Sequence, residues 1–504
     1  MESAATVTIA TQRKINGMKR NRNIPLHDAH QRSGKAAEPK QNRAKVLLRG
    51  MLLVLALLVC GCAAGGMSFD AEQTGPAPDR ARLTIYLETR GDCAAELGLT
   101  LKDFVLHQDH EEIPLFLEPV SLRRSQVQGR QQLLGLVEVP TGYYGRFEVT
   151  VSTQKGEDQV LSLPLSKDIL LDEGDSQCLF VTWQLDGCVD SAGQFVPRFS
   201  AKGQEPPLAA DLLYALSSTI QTLYLVRTDT QFVVASIGLD GQAVDMGVDA
   251  EDQRLYLLSR SGRSLQVFDL ANHQLVDLLP LPLTMKPEHL ALDVKNNIAF
   301  VSDPLSRRVV KINLDTGQMV AHRQVGLQPS QLEYFAQESG GLVAVCTPTT
   351  QNVVLLSAET LASQRTIDTG LQPGSLVYLN GYLLVAEVGS QTVTAFDVAS
   401  GQNVGQVRLM GQPGEMLANS ETGKVYVGNA QTSRLDVLSV GQFTVLRNLA
   451  VGGKPGALAM SARRGIIYVG SPETGRIAVV DRTSERVTGA VALGGSVTDL
   501  VVNE

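Results

Sequence analysis

The sequence predicts an all-β protein in which an N-terminal β-sandwich precedes a seven-bladed β-propeller. Three observations predict it. Apolar and polar residues alternate with period two through residues 82–200, a unit recurs at near-constant spacing from residue 222 to the C-terminus, and no segment shows the three- and four-residue apolar spacing of an amphipathic helix. A chain of 504 residues is too long for one ordinary core, which agrees with two folded parts. Apolar content of 43% is ordinary, while 46 glycines beside a single tryptophan, Trp183, point to many turns.

Charge divides the chain. Residues 1–50 hold 11 Lys and Arg against Glu2, Asp28 and Glu38, which leaves 33 basic against 49 acidic groups in the remainder. A body of that sign repels phosphate backbones, so no nucleic-acid partner is expected. After Arg49 comes an uncharged apolar run, residues 51–59, and then Cys60-Gly61-Cys62-Ala63-Ala64. The run has the length of a signal h-region and falls short of the ~20 residues that span a bilayer.

Val59-Cys60-Gly61-Cys62 resembles the lipobox of bacterial lipoproteins. The resemblance implies cleavage after Gly61, a diacylglycerol on the Cys62 thiol and acylation of the new amino group. The membrane is then a partner through the lipid anchor, since two or three acyl chains hold a protein stably where one does not. Cys60 departs from the Ala, Ser or Val usual at its position, and the leader is long, so a start at Met18 or near Val46 is an alternative. An uncleaved membrane anchor is the other reading of the run. Neutral Ala63 and Ala64 imply a cell-envelope location at the outer rather than the inner membrane. Leader and signal thus occupy 1–61, and a tether with Gly75, Pro76 and Pro78 falls within 62–81.

Residues 82–205 read as the sandwich. Leu83-Thr84-Ile85-Tyr86-Leu87, Phe147-Glu148-Val149-Thr150-Val151 and Leu179-Phe180-Val181-Thr182-Trp183 alternate, and Pro140-Thr141-Gly142 and Asp172-Glu173-Gly174-Asp175 punctuate them as turns. Val139-Pro140-Thr141-Gly142-Tyr143-Tyr144 before a strand resembles small Ig-like domains of bacterial lipoproteins. His107, Asp109, His110, Glu111 and Glu112 lie between two apolar strands. Neighbours on one short turn rarely converge on one ion, so they read as a solvated hairpin turn and no metal site is expected. An exported chain meets an oxidising compartment, and the pairing expected is Cys178 with Cys188, or Cys93 with one of them. Cys346 lies in an apolar run and reads as a buried thiol.

Residues 206–221 read as a linker and 222–504 as the propeller. Prolines lead successive units at Pro287, Pro329, Pro373, Pro413 and Pro455, at spacings of 42, 44, 40 and 42, and the register extends back to Ala243 and forward to Val497. A second marker agrees. Strands such as Leu255-Tyr256-Leu257, Ala299-Phe300-Val301 and Val425-Tyr426-Val427 reach turns that open at Arg227, Ser259, Asp303, Thr347, Glu387, Asn429 and Ser471, and each time a new strand begins six residues later. A four-stranded unit of that size cannot cover both faces of its sheet alone, and radial packing of units does. The pattern resembles the YVTN family of bacterial propellers, clearest at Lys424-Val425-Tyr426-Val427-Gly428-Asn429. The chain ends on a first strand near Val497 and the repeat begins on what reads as a second strand, 223–226, so the ring should close by pairing its two ends. Only 32 residues separate Arg227 from Ser259, so that composite blade should lack most of its outer strand.

In such a blade the inter-blade loop and the turn between strands two and three share a face. It should gather Lys286, Glu288, His289, Asp303, Gln328, Gln372, Glu387, Gln412, Glu415, Asn429 and Lys454 around the channel mouth as a candidate binding face. No Gly-x-Ser-x-Gly elbow or His-Glu-x-x-His occurs, and Gly470-Ser471-Pro472-Glu473-Thr474-Gly475-Arg476 lacks the Lys of a phosphate loop. No catalytic residue and no cofactor is expected. The leading expectation is a non-catalytic platform for an unknown envelope protein or small ligand. The alternative, implied by resemblance to lactone-hydrolysing propellers, is a hydrolase with its site in the channel.

Overall fold

The computed structural model describes residues 77–504 apart from 78, 94–95, 109–110, 154–157, 192–193, 207–209 and 339. The signal with Cys60 and Cys62, nearly all of the tether, and Asp109 and His110 of the histidine-rich turn therefore lie outside the described residues. Every described domain is built of strands, and the C-terminal part is a seven-bladed β-propeller of seven four-stranded antiparallel sheets.

One blade shows why. Ala243–Asp249, Arg254–Ser259, Ser264–Asp269 and Gln274–Pro280 follow one another outward from the axis. The second and third strands are apolar on both sides and buried on both, whereas the outermost exposes all but one position. The core lies between blades rather than within them. Ala344, Cys346, Val353 and Leu355 of one sheet share a cluster with Leu383, Val385 and Phe396 of the next. Each fully buried Leu or Val contributes about 1.5–3 kcal/mol by area, so the wedge between two sheets outweighs the ladder within either. Outer turns repeat a polar device: Asp269, Asn313, Asp397 and Asp481 each accept a backbone N–H two or three residues on. His273 occupies the left-handed position of one such turn at φ 58, which explains a histidine there without chemistry.

The ring closes, though not where the sequence suggested. The last blade runs Asp499–Asn503, Leu212–Ser217, Thr222–Arg227 and Val233–Gly238 from axis to rim. The closing strand pairs with Leu212–Ser217, from Leu212↔Asn503 to Leu216↔Asp499. Thus 223–226 lies in a third strand, not a second, and the segment read as a linker contributes the true second strand. The blade is complete and lacks no outer strand; the 32-residue interval was short because it was counted from one strand too far along. The misreading has a physical source: residues 212–216 and 223–226 are both apolar runs buried on two faces, and periodicity cannot rank two such runs.

The N-terminal strands form one connected nine-stranded arrangement with Trp183 in its core, stacked on Phe199 at 5.9 Å. Its strand Arg80–Arg90 is buried at seven consecutive positions because it is covered twice. Leu83, Ile85 and Leu87 face the N-terminal core, while Tyr86 on the other side joins Cys178, Phe180, Leu213, Tyr224 and Leu493 in a core shared with the propeller. The rim strand Val233–Gly238 would otherwise offer an open edge. Two glutamines cap it: Gln131 bonds both N and O of Val233, and Gln204 bonds both N and O of Ser236. Gly238 fits there because a Cβ would lie 2.2 Å from the Gly174 carbonyl oxygen.

The Cys178–Cys188 pairing is overturned. Cys178 lies mid-strand in Ser176–Gln184 against the Ser236 hydroxyl, at 3.4 Å. The remaining six residues of that strand carry the chain about 20 Å away, beyond the ~7 Å limit between disulfide-linked Cα atoms. Cys188 sits instead beside Cys93.

Candidate functional site

The innermost strands place one residue from each blade at the wall of the central channel. Two positions after each leading proline, or its equivalent, stand His289, Gln331, Ser375, Glu415, Ala457, Asp499 and Asp245. Several tie one blade to the next. Asp499 accepts the Met246 N–H at 2.8 Å, Asp245 that of Leu290 at 2.8 Å, Gln331 that of Leu376 at 3.0 Å and Ser375 that of Met416 at 3.1 Å. The seven-fold position therefore bonds blades across the axis end of the wedge. It also draws acids together.

His289 Nδ1 lies 3.4 Å from Asp245 Oδ2, and Gln331 Nε2 donates to Glu415 Oε1 at 2.9 Å, reaching past the intervening blade. Glu333, two residues after Gln331, lines with Glu415, Tyr378 and Met416 a cavity of about 340 Å³. Glu333 and Glu415 are half-buried at this cavity. Burial, reinforced by Glu415, pushes the Glu333 carboxyl up to about 8. Burial likewise raises Glu415 to about 7, against the Gln331 bond and His289, which favour its ionised form. Burial and the neighbouring Asp245 hold Asp499 well above the ordinary carboxylate range. For His289 burial acts downward, but Asp245, Glu288 and Glu415 outweigh it and its pKa is raised. The channel carboxyls thus hold their protons to higher pH than ordinary acids, and His289 holds its charge to higher pH than a free imidazole. Among the described residues no three His, Cys, Asp or Glu side chains converge at metal-ligand spacing.

The residues expected on the binding face divide into four groups. Asp303, Glu387 and Asn429 are buried and face their own blades, which corrects that expectation for them. Asp303 accepts the N–H groups of Met285, Lys286, Leu305 and Ser306, and so fastens the inter-blade loop to the turn. Glu387 does the same for Gly370, and Asn429 bonds Asp436 and Thr432. Gln328, Gln372, Gln412 and Lys454 are exposed on the loops, the first bonded by Thr349 and the last paired with Glu473. Lys286 and Glu288 are half-buried at the mouth, with Glu288 3.2 Å from Arg260. Only His289 and Glu415 reach the channel wall.

Comparison with known proteins shows the fold and no more. No protein-family model matches the chain, and no curated protein does. Among solved structures it resembles a functionally unknown protein from Desulfotomaculum acetoxidans, with TM-score 0.51 and 13% identity over 58% of this chain and 99% of that one. Two weaker likenesses are the dihydro-heme d1 dehydrogenase NirN in complex with DHE, TM-score 0.45 at 14% identity, and Kuenenia stuttgartiensis hydrazine synthase, TM-score 0.46 at 14% identity. They cover 57% and 51% of this chain, and 65% and 89% of their own.

Sequence reasoning missed Asp245, Gln331, Glu333, Ser375 and Asp499. The signal was available, since all but Glu333 occupy one repeat position two after the leading residue. The loop-based list had taken the flanking positions instead.

A further feature of the same face is apolar. Leu283, Met285, Leu305, Leu327, Leu371 and Met410 stand exposed on successive inter-blade loops and one adjoining turn, with Met285 at 62% and Met410 at 89%. In the next loops the corresponding stretches are Gly452-Gly453 and Gly494-Gly495, so the apolar arc covers only part of the rim.

Proposed function

We propose that the protein is an envelope lipoprotein, lipidated at Cys62, whose propeller binds a protein or small ligand at the loop face without catalysing a reaction. The observation that carries this reading is the exposed arc from Leu283 to Met410 beside the acid-lined channel. Apolar side chains on polar loops cost solvation unless something covers them, and several exposed on successive loops of one face favour an interaction site there. The lipobox-like Val59-Cys60-Gly61-Cys62 supports the anchor, and the blade pattern supports a YVTN-type repeat. The Tyr144 hydroxyl, which donates back to the Pro140 carbonyl, supports an Ig-like reading of the N-terminal strands.

The test is site-specific photocrosslinking in native cells from positions 371 and 410, with exposed position 446 on an outer strand as control. A discrete adduct from the two loop positions alone is expected. Equal labelling from all three, or none from the loops, overturns the reading.

A second reading is favoured by the His289–Asp245 contact beside raised carboxyls, which could serve a lactonase-like hydrolase by general acid–base transfer. Lactone turnover by the purified protein that disappears in H289Q would establish it over the platform.

A further inference from the structure

We propose that Cys93 and Cys188 form a disulfide that staples the open ends of the parallel strand pair in the N-terminal domain. Strands Arg80–Arg90 and Ser176–Gln184 run parallel from Arg82↔Ser176 to Arg90↔Gln184. Parallel neighbours cannot be joined by a hairpin, so nothing local holds their leaving ends together. Here the two chains stay side by side past the ladder. Leu185 N–H bonds the Arg90 carbonyl at 2.8 Å, and Asp92 N–H bonds Asp186 Oδ1 at 3.0 Å. That parallel course delivers Cys93 and Cys188 to each other, close enough for the two thiols to influence one another.

Exposure sets the order of reaction. Cys188 is fully buried, and burial raises its pKa to about 11 while the Arg198 guanidinium acts the other way. Cys93 is half-buried and so the reachable thiol. The oxidant is a small or protein disulfide, for which glutathione disulfide is the probe. The Cys93 thiolate attacks one glutathione sulfur and releases a glutathione thiolate, which takes up a proton. Cys188 then loses its proton and attacks the Cys93 sulfur, forming the Cys93–Cys188 bond and releasing the second glutathione. Two protein thiols are oxidised and one glutathione disulfide is reduced to two thiols. Cys178 and Cys346, fully buried among apolar side chains with pKa values pushed up to about 12 and higher, take no part.

The experiment equilibrates the full-length protein in a glutathione redox buffer, alkylates it under denaturing conditions and maps its peptides without reduction. A peptide pair linking Cys93 to Cys188, lost on reduction and in C93S, is expected, while Cys178 and Cys346 are recovered alkylated. Reduction should also lower the melting temperature by several degrees, since the bond closes a loop of about 95 residues. Alkylation of both Cys93 and Cys188 after oxidation, or a link through Cys178, overturns the proposal. The wild-type map suffices if C93S does not fold. The result is independent of what the loop face binds, so either proposal can fail alone.

Discussion

Replacing Glu333 by glutamine should stabilise the protein at alkaline pH and leave it nearly unchanged near pH 5. The Glu333 carboxyl moves from 4.5 to about 8 on folding, because burial beside Glu415 disfavours its charge. A raised carboxyl binds its proton more tightly folded than unfolded, so stability falls as pH rises from about 4.5 and the loss is complete above about 8. Each tenfold change in proton affinity corresponds to ~1.4 kcal/mol, which sets a ceiling just under ~5 kcal/mol for this group. Glu333 is only half-buried and lines a cavity, so solvent screening reduces this, and we expect about 2 kcal/mol, or some 2–5 °C in melting temperature for a chain this long. Glutamine keeps the shape of the protonated acid and can still accept the Tyr378 N–H that bonds Glu333. The assay is thermal melting of wild type and E333Q at about pH 5 and pH 8.5. Equal effects at both values, or a loss of stability at pH 8.5, would refute the burial argument for the channel acids.

Two further expectations concern how the parts are fastened. D303A should cost about 3 kcal/mol in urea unfolding, because four N–H groups from two segments lose one buried acceptor. D303N, which keeps an acceptor, should cost less. Q131A and Q204A should each speed amide exchange at Val233 and Ser236 respectively by roughly tenfold or more, since each leaves a capped edge group open to water. Unchanged exchange would show that apolar contact alone docks the N-terminal strands.

Much of the architecture was legible because a repeat states the same packing problem several times. The beat of Pro287, Pro329, Pro373, Pro413 and Pro455 placed five inner strands, and all five rings are buried where the chain turns inward. Closure by joining the two ends of the repeat region was also legible, though the strand that accepts the C-terminus was assigned one place late. The candidate site was read less well. Asp303, Glu387 and Asn429 were chosen as polar residues on turns, yet a short polar side chain at a turn can bond its own loop more cheaply than it can face solvent. Exposure of the apolar arc was invisible in the same loops, since Leu327 and Leu371 look like core residues until their neighbours are known.

By itself the sequence determined that apolar strands recur, how many times, and that their sheets must stack around an axis to hide both faces. Those are consequences of spacing and hydrophobicity, which are local and additive along the chain. Only the tertiary structure decided which polar side chains meet. Asp245, His289 and Asp499 come from three blades, Glu333 and Glu415 from two others, and their altered proton affinities arise from burial and mutual charge at distances of a few ångströms. Such distances depend on the radius of the closed ring, a property of all seven sheets at once and of no single segment.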